Sequence, residues 1–156
     1  MSKKRSRKKV KGSGGGKRHC GPRLPSHASS GVTFRNKSPW GKMSDKLKSV
    51  AEPWTTRLGP NPPLLTMVLV YEFVSLIWNA SRLPQSAERS SALDEVYQLL
   101  ARALPQLPDS ERRDLVQSIY RRARNIYPDD PRFIAATDVE DLGGGNFHVM
   151  VASVEA

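Results

Sequence analysis

The chain has 156 residues, a formal net charge of +10 and one cysteine. That length suits one domain of ordinary size. A lone Cys20 excludes a disulfide framework within the chain and points to a reducing intracellular compartment, cytoplasmic, or nuclear in a eukaryote. The charge is segregated. Residues 1–48 hold ten lysines, five arginines and one acid, net +14; residues 49–156 hold ten arginines, no lysine and fourteen acids, net −4.

Residues 1–31 read as a disordered basic arm. MSKKRSRKKVK is a charge run, GSGGG a flexible spacer, and KRHCGPRLPSHASSG has hardly an apolar side chain. Such composition cannot offset a backbone ordering cost of about 1–2 kcal/mol per residue. No apolar stretch follows the basic start before residue 64, unlike a secretory signal, and lysine and glycine dominate where a transit peptide is rich in arginine and serine. Nine cations fall in residues 1–18: Lys3, Lys4, Arg5, Arg7, Lys8, Lys9, Lys11, Lys17 and Arg18. Each can neutralise a nucleic-acid phosphate and release a condensed counterion. No aromatic interrupts the run, so stacking on bases is not expected, and contacts should follow the backbone with low sequence specificity. The same composition also fits a solubilising tail or a nuclear-localisation patch.

Residues 32–62 read as a partly ordered linker. Met43, Leu47 and Val50 at i, i+4, i+7 predict a short helix that starts near Ser44 and stops before Pro53. Trp40 and Trp54 are expected to fold back onto the compact domain. GPNPP at 59–63 is a strong breaker and marks the expected start of that domain, 63–156.

Its centre is LLTMVLVYEFVSLIW, residues 64–78, the most apolar stretch of the chain. Strand alternation fails there, since neither face is polar. At 100° per residue, Glu72, Ser75, Asn79 and Arg82 gather on an arc roughly 80° wide. This predicts a core helix from Pro63 to Arg82, buried on most sides, with one narrow wet stripe. A bilayer span needs about 20 apolar residues without a carboxylate at the middle, so no membrane span is expected. A second helix is predicted from Ser86 to Leu104, with Ser86 as its cap and Leu93, Val96, Tyr97, Leu100 and Leu104 on one side. Pro105 to Pro108 is a short link, so the next helix, Asp109 to Tyr127, should return antiparallel with Asp109 as its cap.

Beyond Pro128-Asp-Asp-Pro131 two readings compete. Asp130-Pro131 suits a fourth main helix ending at Gly143. Phe133 to Val139 and Asn146 to Val154, joined by glycines 143–145, suit a β-hairpin, and the β-rich NFHVMVASV needs such a partner. The hairpin is favoured. The fold class expected is therefore mainly α, becoming α+β with the hairpin: a small helical bundle around a central apolar helix, preceded by a disordered basic N-terminal arm.

Candidate chemistry is sparse. Arg113, Arg121 and Arg124, with Gln117, share one exposed helix arc at i, i+4, i+8, i+11 and form a possible secondary basic patch. Asp114 and Glu111 lie close by, as on an ordinary solvated face. Glu72 invites a catalytic reading, but it lies on the polar stripe, where water or an arginine would satisfy it. His19 and Cys20 have no other metal-binding residue nearby, and His27 and His148 are distant in sequence, so no metal site and no cofactor is expected. Glycines 143–145 lack a GK[ST] or GxGxxG context, and Asp129-Asp130 lacks the further oxygens of a calcium loop. The expectation is a non-catalytic protein whose arm contacts RNA or DNA phosphates and whose acidic domain contacts a protein partner or itself. The alternatives are an adaptor whose arm only targets or solubilises, and an enzyme whose site is assembled from distant residues.

Overall fold

The computed structural model describes residues 38–155. The expected disordered arm and its nine cations lie outside the described residues. Within them the chain forms α1 (Met43–Thr55), a 3₁₀ turn (Thr56–Leu58), α2 (Leu64–Arg82), α3 (Ser86–Ala103), α4 (Asp109–Ile126), β1 (Arg132–Gly143) and β2 (Asn146–Glu155). This is a helical bundle with a C-terminal antiparallel hairpin.

The central apolar stretch is the central helix. α2 packs against α1, α3, α4 and β1. It carries the fully buried Val70, Val74, Ile77 and Trp78, which meet Leu47 and Val50 of α1, Leu100 of α3, and Leu115 and Ile119 of α4 in one cluster. Each such large side chain contributes about 1.5–3 kcal/mol against the ordering cost. By length and composition α2 would also cross a membrane, but more than half of its apolar window is buried in the protein.

The compact unit opens earlier than the glycine-proline breaker suggested. α1 is part of the core through Met43, Leu47, Val50, Ala51 and Trp54, with Trp54 tilted against Phe73 at 6.0 Å between ring centroids. The predicted stop before Pro53 is also overrun, since α1 continues to Thr55 with Pro53 inside it. A proline there leaves the carbonyl four residues earlier, Ser49, without its helical donor. Arg122 of α4 supplies the missing bonds: its Nε and Nη2 donate to the Ser49 oxygen at 3.2 and 2.9 Å, and Nη2 also pairs with Glu52 at 3.1 Å.

Neither predicted side-chain cap forms. Ser86 and Asp109 are the first residues of their helices, preceded by Gln85 and Pro108, and no side chain bonds the cap amides. Asp109 instead pairs with Arg112 and Arg113 of its own first turn. The helix C-termini are closed from outside by arginine forks. Arg89 donates to the carbonyls of Leu83 and Pro84 beyond α2, Arg112 to those of Leu104 and Leu107 beyond α3, and Arg82 to Ala123 and Tyr127 at the end of α4. A cation at a helix C-terminus also meets the negative end of the helix dipole.

The hairpin reading holds and the helical alternative for residues 131–143 falls. Arg132 pairs with Glu155 and Gly143 with Asn146, with irregularities at Ile134/Ala136 and Asp141/Gly143. The loop is Gly144-Gly145, with φ of +62° and +78°, the sign that a two-residue type I′ turn requires at both positions. A lone hairpin is marginal, so it needs support. Ile134, Val139 and Val149 bury themselves in the helical core, and the tip lies against the Pro60-Asn61 loop so closely that a Cβ on Gly145 would overlap the Pro60 carbonyl.

Candidate functional site

The stripe expected to be wet is mostly not. Only Glu72 faces solvent. Ser75 is buried and donates to the Tyr71 carbonyl at 2.6 Å. Asn79 turns to β1: its Nδ2 donates to the Ile134 carbonyl at 2.9 Å, and its Oδ1 accepts from the Ile134 amide at 2.7 Å, so the side-chain amide replaces a neighbouring strand. Trp78 adds an indole N–H bond to the Arg132 carbonyl at 2.8 Å. These bonds cover the free edge of β1, which would otherwise invite pairing with another chain.

A charged knot lies at the end of this seam. Asp130 is 3% exposed. Its carboxylate accepts from Arg132 Nε and Nη2 at 2.9 and 2.7 Å, from the Arg132 amide at 3.1 Å, and from Lys46 Nζ at 2.5 Å. Arg132 spends its remaining donors on the carbonyls of Gly41 and Trp40, and Lys46 lies 4.8 Å over the Tyr127 ring. Burial pushes the Asp130 pKa up, but the bonds from Arg132 and Lys46 outweigh it and hold the carboxyl well below the usual carboxylate range. The same pairing raises Arg132, against a smaller effect of burial. Desolvation lowers the Arg82 pKa; its guanidinium also donates to the Asp130 carbonyl and lies 4.4 Å over the Trp78 ring. Every oxygen of Asp130 is occupied, so this knot ties the start of α1, the end of α4 and the start of β1 together.

The open feature lies on the adjoining face of α2, which Glu72 and Asn79 also border. With Asn79 and Arg82 turned inward, the outward line is Leu65, Leu69, Glu72 and Leu76, and Leu65 and Leu76 are 70% and 41% exposed. α3 runs back beside α2 and presents Glu95, Leu99 and Arg102, with Leu99 45% exposed. Between the helices lie two adjoining concavities that share Leu76 and Leu99, of about 420 Å³ toward Leu69, Glu72 and Arg102 and about 190 Å³ toward Leu83, Glu95 and Phe133. The lining is apolar apart from Glu72, Asn79, Glu95 and Arg102. Exposed single leucines are ordinary; here Leu76 and Leu99 share one groove with charged flanks.

The secondary basic patch is only partly free. Arg113 Nε bonds Asp109 at 3.2 Å and its guanidinium lies 4.6 Å over the Tyr97 ring. Arg124 donates to the Ser81 carbonyl at 3.0 Å, while Arg121 is exposed. Glu72 and His148 do not converge: Glu72 lines the groove, whereas His148 sits on the hairpin 3.8 Å from Glu140. Among the described residues, no three of His, Cys, Asp and Glu gather as a metal site would require. Sequence reasoning missed Lys46, Asp130 and Arg132 as partners, and the available signal was slight: Asp130 and Arg132 flank a proline, and Lys46 is 84 residues away.

The chain was compared with protein-family models, curated proteins and solved structures, and it matches none of them.

Proposed function

We propose that this chain is a non-catalytic binding protein, in which Lys3, Lys4, Arg5, Arg7, Lys8, Lys9, Lys11, Lys17 and Arg18 engage nucleic-acid phosphates and the folded unit makes a protein contact. The observation that carries the reading is the charge division, +14 in residues 1–48 against −4 in residues 49–156. A uniformly basic chain would read as general polyanion affinity; a division assigns the polyanion to one segment and leaves an acidic unit for another partner. The lysine-to-arginine division supports it. Lysine, a point charge suited to loose phosphate contact, is concentrated in residues 1–17, which hold six of the ten, while Arg82, Arg112, Arg122 and Arg132 of the folded unit are spent as forks on carbonyls and carboxylates. The groove supports a binding role, since its lining is apolar apart from Glu72, Asn79, Glu95 and Arg102.

The test is binding of a DNA duplex and an RNA hairpin by the full chain and by the full chain with those nine cations changed to glutamine, across a salt series. The wild type should weaken steeply with salt, and the neutralised chain should bind on the order of 10²–10³ less tightly at low salt with a much shallower salt dependence. Equal affinity of the two chains would overturn the proposal and select an adaptor whose basic segment targets or solubilises.

A further inference from the structure

The open face of α2 and α3 has an internal symmetry. Along α2, Leu69 lies seven residues before Leu76 and Leu83 seven after it, so apolar side chains stand about 10 Å to either side of Leu76. Along α3, Glu95 lies four residues before Leu99 and Arg102 three after it, opposite charges at nearly equal distances. Neither Glu95 nor Arg102 makes an ion pair among the described residues. We infer that this face docks a second copy of the chain, with a two-fold axis in the plane of contact, crossing both helices at the level of Leu76 and Leu99.

In that arrangement each helix meets its own copy antiparallel. Leu76 and Leu99 meet their equivalents at the centre. Leu69 of one copy falls at the level of Leu83 of the other. Glu95 faces Arg102 of the other copy, and the axis makes this pair twice, as an isologous contact demands. Glu72 falls at the level of the other copy's Ala80, a neutral residue. α2 and α3 of the two copies then form a four-helix layer pair of the kind that antiparallel bundles use. A foreign helix with a basic apolar face would satisfy Glu72 and Glu95 but would leave Arg102 opposed; a second copy answers Arg102 as well. The inference rests on the proposed function in one respect: it specifies the protein contact of the folded unit as self-contact.

The experiment is the molecular mass of the full chain by sedimentation equilibrium, without nucleic acid, from low micromolar to several hundred micromolar. The wild type should move from monomer to dimer and no further. Leu99→Glu should remain monomeric with an unchanged helical circular dichroism spectrum. Glu95→Arg and Arg102→Glu should each weaken dimerisation about tenfold or more, because each places like charges together twice, and Glu95→Arg with Arg102→Glu should restore it. A monomeric wild type throughout, or single charge variants that weaken the dimer without recovery in the double variant, would overturn the inference. Since mass is read without nucleic acid, a monomeric chain that still binds phosphate leaves the function of the basic segment standing, and a dimer that ignores the nine cations does the reverse.

Discussion

The two long sides of α2 invert the usual rule. On the side toward β1 and α4, polar groups lie inside: Ser75, Asn79, Ser81 and Arg82 are buried or half-buried, and every one is bonded. On the side beside α3, Leu65, Leu76 and Leu99 remain exposed. Polarity alone therefore does not say which face of a helix is outside. What decides is whether a neighbour offers matching partners. The hairpin edge and the end of α4 present free carbonyls, which draw Asn79 and Arg82 inward; the α2–α3 groove is met by Phe133 of β1 at one end, and Leu65, Leu76 and Leu99 stay exposed.

The largest expected effect breaks the closed side. Asp130→Ala leaves Lys46 and Arg132 buried without their anion, and such removal of one partner costs about 3–5 kcal/mol, measurable as a lower urea midpoint with the fold otherwise intact. The pH dependence follows from the direction of the shift. The folded pKa of Asp130 lies below that of the unfolded chain, so its stabilisation is complete at neutral pH and is lost progressively as pH falls from about 4 toward the lower folded value. Asp130→Asn should be less stable at neutral pH and should lose stability less steeply on acidification. A wild-type and Asn variant with parallel stability profiles below pH 4 would show that the knot is not held by the carboxylate.

A smaller change sharpens the comparison within one stripe. Asn79→Ala strips both polar groups of Ile134 of their partner at the edge of β1 and should cost about 2 kcal/mol by denaturant unfolding. Glu72→Ala, seven residues away on the same predicted arc, bonds to nothing in the described chain and should change stability by no more than about 0.5 kcal/mol. Comparable losses for the two would mean that the stripe behaves as one solvated face after all.

These contrasts also mark how far the sequence is legible. The helix spans followed from periodicity, because α2, α3 and α4 each expose one stretch of local pattern between prolines. The hairpin followed from two β-rich runs and a glycine pair that adopts positive φ without steric cost. What failed was everything settled by distant partners. The stop at Pro53 failed because Arg122, far along the chain, serves the carbonyl that proline abandons. The wet stripe failed because the partners of Asn79 and Arg82 belong to β1 and α4. The domain start at 63 failed because GPNPP is a sound local break but says nothing about whether α1 returns to the core. The groove was invisible for the same reason: a leucine on a helix reads as core until the cover of every neighbouring element is known.

The smallest expected effect lies at Leu99, and its smallness is the point. Leu99 and Leu100 are adjacent in α3, yet Leu100 is wholly buried and Leu99 is 45% exposed. Measured at high dilution, where self-association does not add to stability, Leu99→Gln should alter the unfolding free energy by no more than about 0.5 kcal/mol. At high concentration the wild type should gain thermal stability through mass action, whereas Leu99→Gln should show a melting temperature independent of concentration. A large loss at dilution would place Leu99 in the core of the single chain and remove the open face from the comparison. A concentration-dependent gain confined to the wild type would place the same leucine where its exposure is answered by another copy.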